Sequence, residues 1–177
     1  QGTAWRAMGF DDSGWSSGPA EFGYGDGGET TIVGFGANAA DKHVTTYFRK
    51  TFEVEDAATV NGLILRLLRD DGGVVYLNGT EVWRSAMPAG AIDSETLASS
   101  GAAGADETTF FVKTDVSPGV LVEGTNTVAV EIHQSAASSS DLSFNFEIAV
   151  VKPADPSQFS LSESAAVSAR VLQGNEW

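Results

Sequence analysis

Acidic side chains are the first place to look for chemistry in this sequence. Asp26 and Glu29 belong to a glycine-rich stretch that begins Gly23-Tyr24-Gly25-Asp26-Gly27-Gly28, and Asp11-Asp12 and Asp70-Asp71 are adjacent pairs. Hard divalent cations take several oxygen ligands, and loops of this kind offer carboxylates beside backbone carbonyls that glycine leaves accessible. Asp26 and Glu29 are the first candidate ligands for Ca²⁺ and Asp11 and Asp12 the second, with ordinary solvated charges as the plainer reading; the spacing is not that of an EF-hand. Adjacent carboxylates usually cap turns, whereas glycosidase carboxylates face each other across a substrate from separate parts of a fold.

Other constellations lack the context their chemistry needs. The glycine string matches G-x-G-x-x-G, yet no strand-like run precedes it and Thr30-Thr31-Ile32-Val33 opens no helix to receive a pyrophosphate. His133, Ser139, Ser140 and Asp141 are the residue types of a hydrolase triad without a nucleophile elbow. His43 and His133 are too few and too far apart to imply a metal centre. No catalytic residue is expected, and the chain reads as non-enzymatic.

Sugar recognition needs an aromatic plate beside planar donors and acceptors. Trp83 and Tyr24 are the candidate plates, and Arg84, His133 and Asp141 the candidate hydrogen-bonding partners. Trp5 and Trp15, near polar turns, read as core plugs. Asn78-Gly79-Thr80 is a literal glycosylation sequon, but Asn-Gly between two β-rich runs is better explained by a type I′ turn.

Charge narrows the partners. Among 177 residues, 24 acidic and 10 basic side chains give a formal net charge of −14. The basic residues are scattered, which argues against nucleic acid and anionic membranes. Like charges repel, so a neutral polysaccharide is expected rather than an acidic one. No cysteine is present, so packing, with a bound cation where one exists, must hold the fold. A chain opening on Gln1 and closing on Trp177 is expected to be a monomeric piece of a larger protein, alongside neighbouring domains.

The elements that must position these residues are strands. Alternation runs through Val44 to Glu55, placing Phe48, Phe52 and Val54 on one face with Lys50 among them. Leu63 to Leu68 ends in Asp70-Asp71-Gly72-Gly73, and Val74 to Leu77 and Thr80 to Arg84 flank the Asn-Gly turn. Thr108 to Lys113, Thr127 to His133 and Leu142 to Val150 complete the set, and no amphipathic helix of ten residues is evident. Many short strands between Gly, Asn and Asp turns predict an all-β antiparallel β-sandwich, with Leu63, Leu65, Leu67, Val128, Val130, Ile132, Phe144, Phe146 and Ile148 in its core. The loops at Asp70-Asp71-Gly72 and His133 to Asp141 are expected at one end. A linker from Lys152 to Ser157 divides a domain over 1–151 from a segment over 152–177 that is too short to fold alone.

Four stretches carry a resemblance: Phe10-Asp11-Asp12-Ser13-Gly14-Trp15, Tyr47-Phe48-Arg49-Lys50-Thr51-Phe52, Val75-Tyr76-Leu77-Asn78-Gly79 and Gly124-Thr125-Asn126-Thr127-Val128. In this order they resemble the sugar-binding jelly-roll domain of family 2 glycoside hydrolases and its galactose-binding-like relatives, over about Trp5 to Val150. Arg69-Asp70-Asp71-Gly72, Met87-Pro88-Ala89-Gly90, Glu131-Ile132-His133-Gln134 and Ser140-Asp141-Leu142-Ser143-Phe144 resemble a recurring module of large secreted bacterial proteins. Leu161-Ser162-Glu163-Ser164, Val167 to Leu172 and Glu176-Trp177 resemble part of the β-domain appended to chitobiase-type enzymes. The resemblance implies a secreted or cell-surface accessory module that binds carbohydrate or mediates adhesion, with a structural Ca²⁺; a spacer without a ligand is the alternative, because fold does not fix function.

Overall fold

The computed structural model of the chain describes residues 2–153. Among these residues nine strands form: β1 (Phe22–Tyr24), β2 (Thr31–Ile32), β3 (Thr45–Val54), β4 (Gly62–Arg69), β5 (Gly72–Leu77), β6 (Thr80–Ser85), β7 (Phe111–Val116), β8 (Gly124–His133) and β9 (Leu142–Val151). They build two facing sheets, ordered β2-β1-β9-β4-β7 and β3-β8-β5-β6, antiparallel except for the short β1–β2 pair. The fold is the expected β-sandwich. All nine expected core residues fall in one buried cluster that also takes Tyr24, Val75 and Leu77.

Local chemistry explains the turns. Asn78 and Gly79 both take positive φ, 50° and 85°, as a two-residue type I′ hairpin demands. Asn78 further accepts the Thr127 N–H and donates to the Asn126 side chain, anchoring the hairpin to β8. The strand expected at Thr108 to Lys113 lies later, at Phe111–Val116, because it registers against β4 through Leu67↔Phe111, Leu65↔Lys113 and Leu63↔Val116. Residues 104–107 form a 3₁₀ turn instead. β1 and β2, too short to show alternation, carry no sequence signal.

The outer face of the four-stranded sheet is buried along β5 and β8 as well. Glu131, Tyr76 and Ala129 point away from the main core, yet the N-terminal segment covers them with Trp5, Phe10 and Trp15 packed against Tyr76 and Tyr47. Arg6 lies 4.2 Å from the centre of the Tyr76 ring and bonds Glu131, which also accepts the Tyr76 hydroxyl at 2.6 Å. Arg49 fastens the segment to β3 through Asp12 at 2.9 Å and the carbonyls of Trp5 and Ala7. Among the described residues no helix is long and apolar enough to cross a membrane. β9 ends at Val151; Leu161 to Trp177, the stretch read as resembling a chitobiase-type β-domain, lies outside the described residues.

Candidate functional site

At one end of the sandwich three loops converge. Asp26 lies between β1 and β2, Asp70 where the chain crosses from β4 in one sheet to β5 in the other, and Asp141 where it crosses back from β8 to β9. One carboxylate oxygen from each lies within 4.8 Å of the other two. Asp26 is exposed, Asp141 half-buried, and Asp70 only 1% exposed, its Oδ2 without a hydrogen-bond partner among the described residues.

The adjacent pair splits its work. Asp71 accepts the Ala102 N–H on one oxygen and the Ser135 N–H on the other, both at 2.7 Å, so it staples two loops together. Burial penalises its charge, but hydrogen bonds from Asp70 and those two loops hold its carboxyl below the ordinary value of 3.8. Asp70 bears the cost: burial first, then its position against Asp71 and Asp141, pushes it up to about 8. Burial and Asp141 also raise Asp26, against a 2.9 Å bond from the Ser143 hydroxyl. The Asp70-Asp71 and Ser135 to Asp141 loops thus share one polar end, as the strand exits suggest.

Convergent hard oxygens from a buried and two more accessible carboxylates are a donor set that fits a divalent cation. Of the four acidic candidates read from the sequence, Asp26 joins this cluster. Glu29 spends its two oxygens on the N–H groups of Asp26 and Gly27, at 2.9 and 2.8 Å, and so shapes the loop that presents Asp26. Asp11 accepts the Ser13 N–H at 3.0 Å and Asp12 pairs with Arg49, both in the N-terminal segment. Asp70 had no spacing signal: its sequence neighbour Asp71 looks identical, and only the path of the chain sends one inward to the cluster and the other to backbone amides.

The candidate sugar contacts are placed differently. Asp141 is at the cluster, where Gln134 Nε2 donates to its carbonyl and to the Tyr24 hydroxyl, both at 2.8 Å. Tyr24 itself is 6% exposed and belongs to the core, so its ring offers no plate. Trp83 turns to the core face, opposite Val75. Arg84, on the other face, is engaged by Glu81 and by the carbonyls of Pro88 and Gly90. His133 is fully buried; its Nδ1 meets the Thr96 carbonyl at 2.7 Å and the Thr45 hydroxyl at 3.0 Å. Strand alternation alone cannot show that both faces of β8 are covered.

No protein-family model matches the chain, and no curated protein matches it. Among solved structures it is similar to parts of large glycosidases. A β-glycosidase from Bacteroides vulgatus matches 86% of this chain with 18% of its own, at 17% identity and a TM-score of 0.45. An α-L-rhamnosidase from Streptomyces avermitilis matches 63% with 9%, at 19% identity and 0.42. An α-L-rhamnosidase from Dictyoglumus thermophilum matches 78% with 14%, at 14% identity and 0.43. The chain thus spans less than a fifth of the length of each.

Proposed function

We propose that this chain is a non-catalytic accessory module of a larger secreted protein, and that its loop end binds Ca²⁺ and, through that site, a neutral polysaccharide. The observation that carries the reading is the convergence of Asp26, Asp70 and Asp141, with Asp70 buried and its Oδ2 unpartnered among the described residues. Asp26, Asp70 and Asp141 would hold the ion. Ca²⁺ takes six to eight oxygen ligands, so three carboxylates leave positions that water or adjacent sugar hydroxyls can fill. Asp26 and Asp141 open the cluster to solvent, and Glu29 and Ser143 orient Asp26.

Acid–base catalysis fits poorly here. Asp70 and Asp71 have carboxyl groups driven apart in acidity, the pattern of an acid and base pair, but both are at most 3% exposed and Asp71 is occupied by backbone amides. A glycosidase needs its carboxylates across an accessible substrate, separated by roughly 5 Å or more.

A spacer without a ligand is the second reading, favoured by the inward turn of Trp83, Tyr24 and His133. Affinity electrophoresis against neutral and acidic polysaccharides, with Ca²⁺ or EDTA, separates the two. Retardation on a neutral glycan that needs Ca²⁺ and disappears in Asp26→Asn supports the binder. Equal mobility on every gel leaves the spacer, and release of sugar overturns the non-catalytic assignment.

A further inference from the structure

A second feature lies along the side of the sandwich. β3 runs for ten residues, whereas β1, the strand beside β9 in the other sheet, has three and pairs β9 only at Leu142, Ser143 and Phe144. The sheets therefore do not close on each other along this edge, and a cavity of about 270 Å³ remains, lined also by the segment from Trp15 to Ala20. Its apolar wall is Phe22, Phe48, Val128, Val130, Phe144 and Phe146. Phe48 and Phe144 stack at 4.1 Å, and Phe22 packs 5.3 Å from Phe48.

Lys50 also lines this cavity. It follows Phe48 by two residues on the same face of β3, opposite Val128, so its stem leaves the strand toward the apolar wall. Among the described residues no hydrogen bond or ion pair engages its ammonium. The neighbouring Arg49 points to the other face and is taken by Asp12 and two carbonyls. The Lys50 side chain is half-buried, and a ligand that brings a carboxylate to it gains a charge-assisted hydrogen bond.

We propose that this cavity binds a monocarboxylate with an apolar body about one ring in size, its carboxylate on Lys50 Nζ and its body against Phe22, Phe48 and Phe144. Elsewhere the lining is polar at Asp12, Ser16, Ser17, Tyr47, Arg49 and Thr51, and with Asp12 and Arg49 paired to each other Lys50 keeps its charge for a ligand; the stacked phenyl rings favour an acid that carries an aryl body over a carboxylate alone. The site is separate from the acidic cluster and independent of the reading given to it.

Titration calorimetry on the full chain tests this with phenylacetate, its uncharged analogue phenylacetamide, and acetate, which lacks the ring. Phenylacetate is expected to bind saturably in the millimolar range, and the amide at least about tenfold more weakly, because it forfeits a charge-assisted bond. Lys50→Met should lose affinity for phenylacetate to the same degree while unfolding at no lower temperature than the parent, and Asp26→Asn should bind it unchanged. Absence of saturable phenylacetate binding, equal binding of acetate or the amide, or full affinity in Lys50→Met each overturns the proposal.

Discussion

Asp70 concentrates the electrostatics of this molecule in one side chain. A carboxyl moved from 3.8 to about 8 on folding binds more protons in the native than in the unfolded state between those values. In EDTA, stability should therefore fall as pH rises from about 4 to about 8, with a slope approaching 1.4 kcal/mol per pH unit at mid-window, and level off above it. Asp71, held below 3.8, gives the opposite slope only in more acidic solution. Urea unfolding across this range should show the decline, and Asp70→Asn should flatten it, because the neutral amide carries no charge to desolvate. A chain whose stability in EDTA is constant from pH 5 to about 8 would contradict the placement of Asp70. In the sequence, Asp70 is one half of an acidic pair; its role comes from burial.

Among the elements, β1 does most for the site and is the least visible in the sequence. Three residues cannot display a period, and Gly23 lowers any strand propensity. The structure explains the glycine: a Cβ there would sit 1.9 Å from the Leu142 carbonyl oxygen, the closest of all the glycine contacts. Gly23→Ala should force β1 away from β9, costing about 3 kcal/mol in chemical denaturation, and should abolish any response to Ca²⁺ because the loop after β1 that carries Asp26 departs with it. A variant as stable as the parent would show that β1 is not held in this register. β3, β4, β5, β8 and β9 behave otherwise. In β3, β4, β8 and β9 alternation declares the inner face, and Asn78-Gly79 places β5 in a hairpin, so these were legible from residue order.

At the scale of the whole molecule, the acidic cluster lies where the chain passes between sheets in both directions, at Asp70 and at Asp141. An ion held there ties both crossings and the β1–β2 loop together. Ligand that binds only the folded state stabilises it by RT ln(1 + [L]/Kd), about 2.7 kcal/mol at a hundredfold excess over Kd. Thermal unfolding should shift upward with Ca²⁺ and return in EDTA, with no shift in Asp26→Asn; identical melting in both solutions would remove the cation from the reading. The sequence by itself determined the all-β class, the core faces of the long strands and the Asn-Gly hairpin, because these follow from side-chain period and local φ preference. It also marked Lys50 as a charge on an inward face. Only the tertiary structure decided that Asp26 meets Asp70 and Asp141 while Glu29 stays in its own loop, that Tyr24 and His133 are enclosed, and that Lys50 opens into a cavity. These facts depend on which strands become neighbours, on where a sheet runs short and on what the N-terminal segment covers, and they arise between residues up to 125 positions apart, as in the Arg6–Glu131 contact.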